Sequence, residues 1–277
     1  MKLNRAYRST TAAMTLVELL VVISIIAVLA GLILPALSSA KVKAKIMQSK
    51  KDMNDFKGAI KAYRADYSRM PVSTSAQTAA NAAGELVSNK DFIYGASSAM
   101  VAAYSSFNIL NGYTSSPYEA NNSELVIVLT ASTQYPNNNT NSVNANNVKN
   151  PQKTVYLNAK QATGTQAGIG NDGVFRDPWF NPYIVTLDLN YDSFVAPAIY
   201  RTQAVSQKSG TEGWNGLLHR DPVNTSSGNS DEFGLREDIA IWSLGPDGKF
   251  SGTLKANAAG SISGQKVSND DNVLGWQ

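Results

Sequence analysis

The chain contains no cysteine and only one histidine, and just 16% of its residues are charged. Without cysteine there is no disulfide, no thiolate metal site and no cysteine nucleophile. With one histidine, a histidine-rich metal centre is excluded. A Ser-His-Asp triad would have to use His219, which lies in Gly216-Leu217-Leu218-His219-Arg220-Asp221-Pro222 and reads most simply as a loop. The glycine-rich stretch from Gly164 to Gly173 lacks the Lys and Ser/Thr of a phosphate-binding loop. No catalytic constellation is left, so the expectation is that the protein is not an enzyme. A formal charge of +3 is too small to mark a nucleic-acid binder, and none is expected as a partner.

What the chain does have is 277 residues, 43% of them hydrophobic, enough for a real core and too apolar for global disorder. Its basic residues flank one apolar run. Lys2, Arg5 and Arg8 precede Met14–Leu37, and Lys41, Lys43, Lys45, Lys50 and Lys51 follow it. From Leu19 to Leu37 only Ser24 is polar. A membrane helix needs about 20 apolar residues, so the run can span, and it is longer than the roughly 7–15 residues of a signal-peptide core. Cleavage after the small-residue end Ser38-Ser39-Ala40 is the competing reading. Charge alone leaves topology open, because the larger basic cluster follows the span and would favour a cytoplasmic C-terminal side.

Glu18 lies inside this run. A carboxylate in a membrane helix is costly and points to function. In a chain beginning at Met14, the new α-amino group would lie one turn away, on the same chain or a neighbour. The alternative is a Glu near a helix start, favoured by the helix dipole.

The run Ala13-Met14-Thr15-Leu16-Val17-Glu18-Leu19-Leu20 resembles the cleavage and methylation motif of prepilins. The resemblance implies a cytoplasmic leader (residues 1–13), cleavage between Ala13 and Met14 by a prepilin peptidase, N-methylation of Met14, and an assembly role for Glu18 at the fifth mature position. Ala13 replaces the usual Gly, and Met14 the usual Phe. Pro35 falls where many such proteins carry a helix-bending proline.

Beyond the span, Val42, Ile46, Met53, Phe56, Ile60, Tyr63 and Tyr67 recur mostly at three- and four-residue steps, one apolar stripe of a helix. Met70-Pro71 ends it. The expectation is one helix from near Thr15 to near Tyr67, bent at Pro35: a transmembrane part (14–37) and an amphipathic continuation (38–70). Residues 72–122 read as loops with one or two short helices. Asn121-Asn122-Ser123 can cap a helix over Glu124–Leu129. The Asn-rich 136–150 reads as a surface loop, and Pro151–Lys160 as a short helix or strand. Strands are expected at Tyr183–Leu187, Phe194–Tyr200 and Asp238–Ser243.

Three C-terminal segments carry a second resemblance: Asp177-Pro178-Trp179-Phe180-Asn181-Pro182-Tyr183, Ile241-Trp242-Ser243-Leu244-Gly245-Pro246-Asp247-Gly248, and Asn269-Asp270-Asp271-Asn272-Val273-Leu274-Gly275-Trp276. They resemble the major pseudopilin of type II secretion, with Phe180 where that family has Gly. The resemblance implies a calcium ion held by the carboxylates of Asp247, Asp270 and Asp271 and the backbone carbonyls of Leu244 and Val273. Such hard oxygen ligands suit calcium. The alternative is an ordinary turn at Pro246-Asp247-Gly248 and a solvated acidic tail.

The resemblance covers roughly 8–70 and 174–277 and leaves 72–173 as an extended insert. It implies an α+β, type IV pilin-like fold, a long N-terminal helix on a small antiparallel sheet, with 71–277 as a periplasmic domain anchored in the bacterial inner membrane by a single pass. It also implies a filament subunit that contacts membrane lipid, its own copies in a helical homo-oligomer, minor pseudopilins, the inner-membrane secretion platform and prepilin peptidase. A type IV pilin or adhesin subunit is the alternative. Many pilins close their C-terminal region with a disulfide, which this chain cannot make.

Overall fold

Helix α1 (Leu16–Tyr67) runs for 52 residues in the computed structural model, which describes residues 15–82, 91–95, 122–136, 139–163, 166–220, 232–250, 252, 254–262 and 265–277. At about 1.5 Å per residue, a helix of this length is roughly 78 Å long. Pro35 lies inside it without ending it. The proline withdraws the donor that Gly31's carbonyl would otherwise receive. The chain divides into two compact units, Met1–Ala44 and Lys45–Gln277.

In the first unit, the large apolar side chains from Leu16 to Leu37 are exposed, from 43% at Val22 to 78% at Leu16. Side chains of this kind are exposed singly on soluble proteins; a continuous sleeve of them calls for a non-aqueous partner. By length and composition, this stretch is able to cross a membrane. Topology does not follow from it.

In the second unit, Met53, Phe56, Ala59, Ile60 and Tyr63 of α1 are buried. This is the expected stripe; Ile46 and Tyr67 are partly buried beside it, and Val42 is exposed. Three further α-helices follow among the described residues, α2 (Thr74–Ala82), α3 (Ser123–Leu129) and the four-residue α4 (Gln203–Ser206). The strands are β1 (Phe92–Tyr94), β2 (Gly168–Ile169), β3 (Phe175–Arg176), β4 (Ile184–Leu187), β5 (Gln207–Ser209), β6 (Glu212–Gly213), β7 (Leu218–His219), β8 (Phe233–Gly234), β9 (Ile239–Ser243), β10 (Ala259–Ile262), β11 (Gln265–Ser268) and β12 (Val273–Leu274). The described chain is therefore α+β, a long apolar N-terminal helix followed by antiparallel sheets.

The main sheet has the order β1-β4-β9-β12, antiparallel throughout. Its pleat sends alternate side chains into two different cores. Phe92, Tyr94, Val185, Leu187, Ile239, Ile241 and Val273 pack with the α1 stripe and α3. Ile93, Ile184, Ala240, Trp242 and Leu274 pack with Val195, Ile199, Tyr200, Val205 and Leu217. Every residue of β4 and β9 is buried. The apolar/polar alternation at Tyr183–Leu187 implies one wet face, but a second layer covers it. That layer comes largely from residues 194–217, which sequence patterning does not tie to the sheet.

Several local expectations are corrected. Phe194–Tyr200 is not a strand: Val195 makes an isolated bridge to Leu235, and Ala198–Arg201 forms a 3-10 turn. Pro197 starts that turn with an extended backbone. Pro151–Lys160 is neither helix nor strand. His219 is not in a loop: it sits in β7, 4% exposed, edge-on to Phe233 at 5.1 Å. The Asn-rich 136–150 is not a plain surface loop, because Asn144 and Asn150 are fully buried. Asn144 Oδ1 accepts from the backbone N–H groups of Lys149 and Asn150, and Asn150 Nδ2 donates to the carbonyls of Val128 and Thr154. These asparagines supply the partners that buried backbone needs.

The stretch 72–173 is not an appendage where it is described. It provides β1, an edge strand of the main sheet, and α3, whose seven residues are all buried. Asn122 precedes α3 but makes no side-chain cap. Instead Asn122 Nδ2 donates to the carbonyls of Phe175 and Tyr183, and its Oδ1 accepts from the Phe175 N–H. The residue bridges elements instead of closing a helix end.

Candidate functional site

Two places carry the residues singled out by sequence. The first is the start of α1. Ala13 and Met14 lie outside the described residues. Thr15 and Glu18 form a reciprocal cap: the Glu18 carboxylate accepts from the Thr15 N–H at 2.8 Å and from its Oγ1 at 2.9 Å, and the Glu18 N–H donates to Thr15 Oγ1 at 3.3 Å. This is a capping box, in which two otherwise unpaired helix-start donors are satisfied. The T-x-x-E spacing was readable as such a box, and it gives Glu18 a local partner besides any α-amine. Both of these carboxylate bonds fall on Oε2.

The second place is a joint at which the three C-terminal segments meet. Asp177 is fully buried. Its Oδ1 accepts from the N–H groups of Trp179 and Asn181, both at 2.8 Å, and its Oδ2 accepts from Ser243 Oγ and, at 3.3 Å, from Asn181 Nδ2. Burial pushes the Asp177 carboxyl above its ordinary range, and the Ser243 and Asn181 donors oppose it. Asn181 Nδ2 also donates to the Gly245 carbonyl at 2.9 Å. The turn after β3 is thereby bonded to the loop after β9.

Gly245 fixes the third segment. Its φ is +66°, and a Cβ there would lie 2.1 Å from the Asp271 carbonyl oxygen. Only glycine permits that approach. Asn272 Nδ2 donates to Tyr200 Oη at 2.8 Å, and β12 pairs Val273 with Ser243. Leu244 is buried at the head of this loop. The joint rests on α1 within the second unit: Lys45 lies over the Trp179 ring at 5.8 Å, and Tyr183 Oη donates to Asp52 at 3.2 Å.

Asp247 and Asp271 are thus brought close from opposite sides of a long excursion. Burial, then the Asp247 charge, then Asp270 push the Asp271 carboxyl up to about 6, against a backbone N–H of Asp247 that lowers it. Asp271 Oδ1 and Asn272 Oδ1 are buried without a hydrogen-bond partner among the described residues. Asp247 Oδ1 accepts from the Lys249 N–H at 2.7 Å. These crowded, hard oxygens are of the type that calcium takes. Among the described residues, however, no three acidic or histidine side chains converge at chelating distance.

Phe180 is a residue whose position sequence reading noted without its reason. Its φ is +76°, a left-handed conformation costly for a bulky side chain. The usual glycine of the resembled segment would carry no such cost. Phe180 instead stacks under the Arg176 guanidinium at 4.8 Å. No family model, curated protein or solved structure matches this chain.

Proposed function

We propose that the protein is a membrane-anchored, prepilin-type structural subunit, of the kind typified by the major pseudopilin of type II secretion. The observation that carries this reading is the division of labour along α1. Residues 16–37 present an exposed, almost wholly apolar surface with Glu18 as their one acid, and Met53–Tyr63 pack on an antiparallel sheet. This is the arrangement expected of a type IV pilin-like fold, with the apolar part in the inner membrane and the compact unit in the periplasm.

On this reading the subunit has a structural and not a catalytic role. Copies associate head to tail through a repeated, unclosed interface, which generates a filament, together with minor pseudopilins and the inner-membrane secretion platform. The Glu18 carboxylate receives the methylated α-amine of a neighbouring Met14. Supporting the secretion branch over a surface pilin are the absence of cysteine and the meeting of the Asp177, Ser243 and Asp271 segments in one joint. Calcium belongs to the same proposal, with Asp247, Asp270 and Asp271 supplying charge and Leu244 and Val273 supplying carbonyls. Binding at that joint would clip two loops of a chain without disulfides.

The test is the mature N-terminus. Co-expression with a prepilin peptidase and intact-mass measurement should show loss of residues 1–13 and one added methyl group at Met14. Retention of those residues, or cleavage after Ala40, sinks the reading.

A further inference from the structure

Phe180 has a conformation that the packing of the protein does not explain. Its φ is +76° and it is 38% exposed, so the chain accepts left-handed strain only to hold a large apolar ring at the surface. The turn that carries it is fixed. The Asp177 N–H donates to the Asn181 carbonyl at 2.8 Å, and the Phe180 N–H donates to the Asp177 carbonyl at 3.0 Å. The Asp177 carboxylate holds the N–H groups of Trp179 and Asn181 as well. Glycine would satisfy this turn without strain. Strain retained in a fixed turn points to a use for the side chain itself.

The surroundings of the ring indicate which use. Trp179, next to it, is partly buried. Each of the two rings carries a cation: Lys45 of α1 lies over Trp179 at 5.8 Å, and Arg176 lies over Phe180 at 4.8 Å. Arg176 is held there by Asp172, whose Oδ1 accepts from Nη1 at 2.8 Å. Lys45 is exposed and is one of five lysines between positions 41 and 51, with no acid between Glu18 and Asp52. It follows Leu37, the end of the apolar run, by eight residues, about 12 Å of helix rise. The headgroup layer extends roughly 5–8 Å beyond the hydrocarbon, so Lys45 stands just past that layer when 16–37 span the bilayer. Aromatic rings with cations against them, beside an excess of positive charge, are the composition that membrane–water interfaces select. The rings enter the headgroup layer and the cations meet its phosphates.

We propose that the Trp179-Phe180 turn is an interfacial anchor that seats on an anionic phospholipid surface, with Lys45 and the neighbouring lysines facing lipid phosphates. The inference rests on the membrane reading of α1 and adds a second, separate point of lipid contact. Because α1 already holds the chain at the bilayer, the effective concentration of lipid at the turn is high and a weak contact is populated. Phe180 supplies apolar area where glycine would supply none, which is what the strained backbone maintains.

The test uses the absence of cysteine, which lets a single introduced thiol be labelled selectively. Ile25→Cys, Phe180→Cys and Leu218→Cys, all at exposed positions, each carry a nitroxide in the full-length chain reconstituted into vesicles of phosphatidylglycerol and phosphatidylcholine. Collisions with oxygen report lipid, and collisions with a water-soluble nickel chelate report water. The expected result is a label at 25 deep in lipid, a label at 218 in water, and a label at 180 in the interface, with nickel accessibility severalfold below that at 218. Vesicles of phosphatidylcholine alone, or added salt, should shift the label at 180 toward water and leave the other two unmoved. A second measurement keeps the native ring: lipids brominated near the headgroup should quench tryptophan fluorescence more in wild type than in Phe180→Gly, which retains the turn. A label at 180 as open to nickel as that at 218, with 25 in lipid, overturns the anchor and leaves the membrane reading standing. A label at 180 shielded from both nickel and oxygen means that protein covers the turn, and overturns it too. A label at 25 in water overturns the membrane reading and the anchor together.

Discussion

Asn181 Nδ2 donates to the Gly245 carbonyl at 2.9 Å, joining two turns that are 64 residues apart in the chain. The same side chain touches the Asp177 carboxylate, so one amide bridges the turn after β3 and the loop after β9. Asn181→Ala should cost about 1–2 kcal/mol, the value of lost hydrogen bonds plus an acceptor left unpaired. Asp177→Ala should cost more, because several donors lose a charged acceptor at once. Urea unfolding of the two variants checks the order. Equal stability of both with wild type would mean that the joint is held by packing alone.

The Asp271 carboxyl, raised to about 6, gives a signed pH dependence. A carboxyl that holds its proton more tightly when folded than when unfolded favours folding at low pH. That contribution is lost as pH rises from the unfolded value near 4 through the folded one. Without calcium, wild type should therefore lose melting temperature across this window. Asp271→Asn should lack that slope and melt higher than wild type at pH 7.5. Millimolar calcium should reverse the ranking by stabilising wild type only. A wild-type melting curve unmoved by calcium would leave the Pro246-Asp247-Gly248 turn and the acidic segment as ordinary surface.

Glu18 has two roles that substitution can separate. Glutamine keeps the capping-box geometry with Thr15 but removes the charge; alanine removes both. If the carboxylate meets an α-amine in lipid, Glu18→Gln and Glu18→Ala should both insert normally and both fail to form filaments. If the residue serves only as a cap, Glu18→Gln should assemble like wild type. Filament yield at matched expression decides between them.

Phe180 at φ +76° allows a comparison of opposite signs. Phe180→Gly relieves the left-handed strain of roughly 1–2 kcal/mol and loses the Arg176 stacking, so it should be neutral to stabilising. Phe180→Val places a β-branched residue in the same conformation and should destabilise by at least as much as that strain. Thermal melts of the pair check it.

The sequence was most legible where periodicity is long. The stripe from Met53 to Tyr63 and the strand at Ile239–Ser243 fall where apolar spacing places them, because burial on one helix face or in a sheet interior selects residue type directly. It was least legible where polar side chains do the structural work. Asn122, Asn144 and Asn150 look like loop and cap residues, yet each is buried and bonded to distant backbone. No local rule separates an asparagine that caps a helix from one that bridges two strands. The C-terminal joint was legible as three separate segments, and only Gly245, Gly248 and Asn181 in three dimensions explain why they sit together. The burial of Asp91 was not legible at all, since its Oδ2 accepts from the Ala196 N–H at a separation of 105 residues.

The strand order β1-β4-β9-β12 also sets a timetable. Val273 and Leu274 form the last edge of a sheet whose opposite edge is Phe92–Tyr94. The central strand β9 therefore has an open flank until residues about thirty positions later in the chain have left the ribosome. Synthesis runs from the N-terminus, so the apolar half of α1 emerges long before that flank can close. Pairings of such long sequence separation form slowly. The nascent chain must therefore hold an unfinished sheet, with the backbone edge of β9 from Ile241 to Ser243 unpaired, until its last residues emerge.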